Sequence, residues 1–213
     1  MVAAQLISVG LEEDPEVSVV QCFDGGYGSA QTIPYLDFEI IGANPKPFIG
    51  FSDITALHQS IRHHTGLITF YGPLLSSLNT AESQQLTDDG MLRALTSTEP
   101  LGEVPRNPDD PYLRAFNSGS VTGELVGGCL WLLGQTIGTP WQFDAAGKIF
   151  FFEDVNCPPW YMDGLFNQMT QAGLLDEVRG VVIGELVACD WHSAPHDWPG
   201  RLSIEDVLED YIE

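Results

Sequence analysis

The sequence predicts an α/β protein, a parallel sheet with helices packed outside it. Three observations carry that prediction. Short apolar runs alternate with stretches in which apolar residues recur at three and four positions. The alternation resumes in the second half after a polar, turn-rich interval. Hydrophobic residues make up 44% of the 213, enough for a folded core, yet no run approaches the ~20 needed to span a bilayer.

Residues 1–12 read as the tail of a helix. VSVVQCF, Val17 to Phe23, is a short apolar strand. DGGYGSA turns, and the chain to about Leu36 reads as helical. PFIGF is a second strand. SDITALHQSIRHH, Ser52 to His64, carries Ile54, Leu57 and Ile61 at helical spacing, and GLITFYG is a third strand. Residues 75–111 are polar, with NPDDP as the clearest turn cluster, and read as a surface excursion.

The second part opens with a glycine-rich entry into an apolar segment, Gly119 to Thr139. KIFFFEDV is a strand. YMDGLFNQMTQAGLL places Met162, Leu165, Phe166 and Met169 at helical spacing, a stripe that reads as core. VRGVVIGEL is a further strand, and LSIEDVLEDYI is a closing helix. Ser203 caps that helix, with Asp206 in the place of the usual Glu of a capping box. The expected division is 1–75, a partial first domain, 76–118, a connecting excursion, and 119–213, a partial second domain. Three strands are few for a parallel sheet that needs both faces covered, so the chain is expected to be a piece of something longer.

Eight basic residues face thirty acidic ones, a net charge of -22. Such a surface repels nucleic acid and anionic membrane. The two lysines, Lys46 and Lys148, favour a saline setting that screens the repulsion over a merely acidic protein. The first residues lack the basic and apolar regions of a secretion signal, so a cytoplasmic protein is expected. Cys22, Cys129, Cys157 and Cys189 are widely spaced, without a CxxC pair, and read as free thiols.

Ser52 poses the chemical question. It follows a strand, has glycine two positions before it, and opens a helix whose first N–H groups and positive dipole end lie close by. A nucleophilic serine needs such a corner. A plain helix N-cap needs only the serine, and Ile54 stands where the usual elbow has a second glycine, so both readings stay open on these residues. Gly25 to Gly28, GGYG, lets backbone amides approach a ligand but lacks a dinucleotide fingerprint. Glu153 and Asp154 fall at the carboxyl end of a strand, where one carboxylate can orient a histidine or simply be solvated. His58, His63 and His64 lie on the helix past Ser52, with His58 roughly 9 Å along the axis and facing away. His192 and His196 share a loop with Asp190 and Asp197, a weak metal motif. Lys148, Arg114 and Arg179 are candidates for a substrate carboxylate by scarcity alone.

GGYG, NPKPFIGFSDITALH, GLITFYGP, GELVGGCLWLLGQTIGT, IFFFEDV and GLLDEVRGVVIGEL, in this order, resemble the LD-carboxypeptidase family of serine peptidases, which includes the microcin C immunity proteins. The resemblance runs from about Asp14 to the last helix. It implies a parallel-sheet α/β sandwich as N-terminal domain, a smaller mixed α/β C-terminal domain, and an active site between them. It implies a Ser-Glu-His triad with Ser52 as nucleophile and Glu153 as the glutamate. The oxyanion hole would come from the amide of Asp53 and one from the Gly25–Gly26 turn. The implied activity is removal of the terminal D-amino acid from cell-wall tetrapeptides, without metal or cofactor. The alternative is an immunity-like amidase acting on aminoacyl or peptidyl nucleotide analogues. Either substrate is a small molecule, and a homodimer is expected. The family histidine lies in a GH motif one strand beyond the final helix, and the family has a strand-helix-strand region ahead of GGYG. The sequence stops before the first and holds little of the second, so a fragment lacking the triad histidine or a non-catalytic remnant is a further reading; His192 or His196 as a substitute base is a separate one. Many members carry arginine before the glycines; here Asp24 stands there. Cys129, in GGC, lies nearer to the immunity-like branch.

Overall fold

The computed structural model describes residues 14–78, 85–104, 114–190 and 202–212, the last three segments and the first holding every element named below. The expected helix tail at 1–12, the NPDDP turn and the loop with His192 and His196 lie outside these residues. The chain divides into two compact units, Met1–Ala115 and Phe116–Glu213.

The first unit holds β1 (Val20–Gln21), β2 (Phe48–Gly50) and β3 (Phe70–Tyr71) in a parallel sheet of order β1-β2-β3. Helices α1 (Ser29–Thr32), α2 (Phe38–Ala43) and α3 (Thr55–Thr65) connect them. Register pairs Val20 with Phe48 and Ile49 with Phe70. All three residues of β2 are buried, as a central strand of a parallel sheet requires. From α3, Leu57 and Ile61 are buried, together with Ile54 just before it, the spacing that predicted the helix. Gly66, in the left-handed conformation, ends it.

Two helices were not expected. Asp37 caps α2, its carboxylate accepting the N–H of Glu39 and Ile40 at 3.0 and 3.1 Å. Helix α4 (Gln85–Thr96) lies inside the interval expected to be an excursion. The strands in turn are shorter than the apolar runs: VSVVQCF supplies only β1, and GLITFYG only β3.

The second unit holds β4 (Leu125–Cys129), β5 (Ile149–Val155) and β6 (Gly180–Val187), also parallel and in order β4-β5-β6. Helices α5 (Leu130–Thr136), α6 (Pro159–Gln171) and α7 (Ile204–Ile212) accompany them. Met162, Leu165, Phe166 and Met169 of α6 are all buried in one core with Leu130, Leu133, Val207 and Leu208. Burying each such side chain contributes roughly 1.5–3 kcal/mol relative to exposure. Aromatic contacts run through this core, from Phe143 on Phe150 to Phe152, Phe166 and Tyr211. Ser203 and Asp206 form the expected capping box: Asp206 N–H donates to Ser203 Oγ at 3.1 Å, and Ser203 N–H to Asp206 Oδ2 at 2.7 Å.

Candidate active site

The corner at Ser52 is built by its neighbours on both sides. β2 ends at Gly50, and the chain passes through a 3-10 turn, Ser52–Ile54, into α3. A Cβ placed on Gly50 would lie 2.9 Å from Ile54 Cγ2 and 3.1 Å from Cys22 Cβ, so glycine lets the incoming helix fold back against its own strand. Ser52 has φ 62°. A non-glycine residue held in the left-handed region costs on the order of 1–3 kcal/mol, and it persists only where the surroundings impose it.

An ordinary N-cap has an extended backbone and accepts an N–H with its side chain. Ser52 does not fit that description. The cap position belongs to Phe51, φ -146°, and carries no side-chain cap bond. Ser52 Oγ has no hydrogen-bond partner among the described residues. The backbone N–H of Ser52 donates instead to Tyr71 Oη at 3.0 Å, and its carbonyl accepts from Thr55 Oγ1 at 2.7 Å.

The glycine turn lies against this serine. A Cβ on Gly25 would fall 3.3 Å from Ser52 Cβ and 3.4 Å from its Oγ. Gly25 N–H donates to Asp24 Oδ1 at 2.9 Å, and the same oxygen accepts from Ser76 Oγ at 3.3 Å. Gly26 N–H meets no acceptor among the described residues. Asp53 turns its carboxylate inward: Oδ2 accepts Ser29 N–H at 2.8 Å and Ser29 Oγ at 2.7 Å. That buried contact ties the start of α1 to the corner. The N–H of Asp53 sits in a helix first turn, where intrahelical acceptors are lacking. Ser52, Asp53, Gly25 and Gly26 are thus gathered in the first unit, in an arrangement able to present a hydroxyl beside backbone donors.

Glu153 and Asp154 belong to the second unit, at the carboxyl end of β5. The strand alternates faces, burying Phe150, Phe152 and Asp154 and leaving Phe151 and Glu153 half-buried on the other face. Asp154 is structural: Oδ2 accepts Trp131 N–H at 2.8 Å and Oδ1 accepts Val155 N–H at 2.7 Å. Burial raises its carboxyl above the usual range, against the lowering effect of those two donors. Glu153 pairs in register with Cys129, and a Cβ on Gly184 of β6 would stand 3.0 Å from Glu153 Cβ.

His58 is buried, with Nε2 2.9 Å from the Gly50 carbonyl. Burial holds its imidazole down to about 4, so it is neutral near pH 7. His64 stacks on Phe38 at the far end of α3, with His63 beside it. Lys148 bonds Asp144 Oδ2 at 2.6 Å and Arg179 bonds the Thr122 carbonyl at 3.2 Å. These two cations precede β5 and β6, at the sheet edge opposite Glu153. None of the four cysteines forms a disulfide. Burial pushes the Cys22 thiol up to about 12 and raises Cys129 and Cys157 further, so none is poised as a thiolate. Among the described residues, no group of three or more His, Cys, Asp or Glu could hold a metal ion, and no helix is long and apolar enough to cross a membrane.

Sequence reasoning missed Tyr71 and Ser29. A tyrosine in an apolar run reads as core, and nothing in the local pattern marks its hydroxyl as the partner of an amide 19 residues away. The inward face of Asp154 was readable, because it continues the alternation of Phe150 and Phe152.

Comparison with known proteins places these features in context. Residues 9–72 match the model of the LD-carboxypeptidase N-terminal domain, and residues 122–213 that of the C-terminal domain. A Bacillus subtilis (strain 168) protein named "Probable murein peptide carboxypeptidase" is 38% identical over 93% of this chain and 60% of its own length. The Escherichia coli microcin C7 self-immunity protein MccF is 30% identical, over 83% of this chain and 59% of its own. Among solved structures, a muramoyltetrapeptide carboxypeptidase from Oxalobacter formigenes superposes with a TM-score of 0.78 at 25% identity, covering 94% of this chain and 66% of that one. An MccF-like protein from Bacillus anthracis str. Ames gives 0.78 at 30% identity, covering 94% and 64%. The chain therefore spans about 60% of the length of the curated relatives named here.

Proposed function

This chain belongs to the LD-carboxypeptidase family of serine peptidases, and on that premise we propose that it carries the nucleophile and the glutamate of a carboxypeptidase that removes the terminal D-amino acid from cell-wall tetrapeptides. The observation that supports this most directly is the backbone of Ser52. A strained, left-handed serine between a strand and a helix, its hydroxyl uncommitted and a glycine turn against it, is the geometry of a nucleophile elbow.

In this reading Ser52 Oγ attacks the carbonyl carbon of the scissile amide. A histidine outside the described residues takes the hydroxyl proton and passes it to the leaving amine. Glu153 holds that imidazole in orientation and offsets its developing charge. The oxyanion is received by the N–H of Asp53 and by that of Gly26, since Gly25 N–H is taken by Asp24. Water then releases the acyl group from Ser52. The protein acts on a small peptide in the cytoplasm, and as a homodimer.

Hydrolysis of L-Ala-D-Glu-meso-diaminopimelate-D-Ala tests this. Release of D-alanine is expected, and Ser52→Ala should lower kcat by at least about a thousandfold, the scale of losing an activated nucleophile. Release that persists in Ser52→Ala sinks the assignment. A second reading is favoured by the likeness to MccF, one structure of which holds glutamyl sulfamoyl guanosine. If that aminoacyl nucleotide analogue is cleaved and the tetrapeptide is not, the amidase reading replaces the first. If a folded protein leaves both untouched, the chain is a non-catalytic relative or a fragment lacking the triad histidine.

A further inference from the structure

The Ser52 corner is held by more than its own glycines. Three backbone groups flanking Phe51 are bonded to side chains from other elements. The Gly50 carbonyl accepts from His58 Nε2 at 2.9 Å, from the middle of the helix past the corner. The Ser52 N–H donates to Tyr71 Oη at 3.0 Å, from β3. The Ser52 carbonyl accepts from Thr55 Oγ1 at 2.7 Å, and Thr55 Oγ1 also lies 3.5 Å from Tyr71 Oη. The two rings pack on one another, centroids 5.7 Å apart, so His58 and Tyr71 form a single unit. Phe48 of β2 meets the edge of the His58 ring at 5.3 Å, and Phe51 that of Tyr71 at 6.3 Å.

This arrangement is not the one that core packing alone would choose. A carbonyl only accepts, so Nε2 of His58 must carry the proton, leaving Nδ1 as a bare acceptor. Nδ1 is buried and has no hydrogen-bond partner among the described residues. A phenylalanine would fill the same space between Phe48 and Tyr71 without burying an unpaired nitrogen. The imidazole makes sense if its one bond, to the Gly50 carbonyl, is needed.

We infer that His58 and Tyr71 are positioning residues, a clamp that locks the strained corner from both sides of Phe51, through the Gly50 carbonyl and the Ser52 amide. The clamp has a second effect. With Ser52 N–H taken by Tyr71, the N–H offered at this corner is that of the next residue, Asp53. His58 is not the base, because its proton is committed to the Gly50 carbonyl. The role in reactivity rests on the reading of Ser52 as nucleophile; the hold on the backbone does not.

Two measurements separate those claims. Amide hydrogen exchange read by NMR reports the backbone. In Tyr71→Phe, which removes only the acceptor oxygen, exchange at Ser52 should rise about tenfold or more while α3 amides keep their protection. His58→Phe should raise it likewise, and His58→Gln, which keeps a side-chain N–H donor, should restore it. Labelling of Ser52 by a fluorophosphonate reports the hydroxyl: both phenylalanine variants should label about tenfold more slowly than the wild type, with His58→Gln recovering part of the rate. Unchanged exchange at Ser52 in Tyr71→Phe, with α3 intact, overturns the clamp whatever the labelling shows. If His58→Phe loses α3 protection altogether, Tyr71→Phe decides alone. Wild-type protein that never labels, yet shows the exchange changes, upholds the clamp and removes the nucleophile reading instead.

Discussion

At Ser52, backbone strain and an uncommitted hydroxyl occur together, beside the buried His58 and Thr55 and the half-buried Tyr71. His58 is the most heavily burdened of them, and its titration follows from its place. In the unfolded chain its imidazole takes a proton near the ordinary value of about 6.5. In the folded chain burial delays that to about 4, with the bond to the Gly50 carbonyl opposing the fall. Between those values the unfolded state binds more protons than the folded one, so stability rises with pH through that window. The contribution is fully present above about pH 6.5 and is lost as pH falls toward 4, on the order of 3 kcal/mol in all. Urea midpoints measured from pH 7 to pH 4 should fall less steeply in His58→Gln than in the wild type. Comparison with the variant removes the share of the carboxylates, which titrate in both. Parallel curves would mean that the imidazole is protonated in the fold.

Among the elements, α7 depends most visibly on a local sequence signal. The Ser203–Asp206 box satisfies N–H groups at its start, and those bonds hold the Asp206 carboxyl below its usual range. A lowered carboxyl contributes stability above its unfolded value of about 4, and that stability goes as pH falls through the folded value. Ser203→Ala should therefore increase hydrogen exchange in the first turn of α7 at pH 7, and the difference from the wild type should shrink as pH falls through the folded Asp206 value, leaving the share of the Ser203 Oγ bond to the Asp206 N–H; equal exchange at pH 7 would show that the helix is held by Val207 and Leu208 alone. The box was legible because it is written in four consecutive residues. So was β5, whose alternation shows Phe150, Phe152 and Asp154 sharing a face. The lengths of β1 and β3 were not, since an apolar run records burial while a strand requires a ladder partner. Helix α4 was hidden by Thr87, Asp88, Asp89 and Gly90, all poor helix formers, and by the exposure of Leu92. The position of Ser52 was legible from the strand, glycine and helix around it. Its φ and its tyrosine partner were not, because they depend on which residues of other elements arrive beside it.

For the molecule as a whole, charge outweighs any single contact. Thirty acidic and eight basic residues leave -22 on 213 residues, and drawing that charge into a compact fold raises its self-repulsion above that of the expanded chain. Screening acts on this term directly: the Debye length falls from about 10 Å at 0.1 M salt to about 3 Å at 1 M. The thermal midpoint should therefore climb steeply as KCl rises from low millimolar to a few hundred millimolar, then level off. NaCl should trace the same curve, because the effect is of ionic strength rather than of a bound ion, and sucrose should not reproduce it. The field also opposes approach of any substrate bearing a free carboxylate, and Asp24 places one of these charges at the residue before Gly25, next to the serine corner. The proposed tetrapeptide hydrolysis therefore has to be assayed at both low and high salt, with the midpoint at each, so that repulsion of substrate is separated from loss of fold. A midpoint that stays flat from low to molar KCl would show that opposite charges are paired closely enough to cancel the net field, and would remove self-repulsion as a determinant of stability.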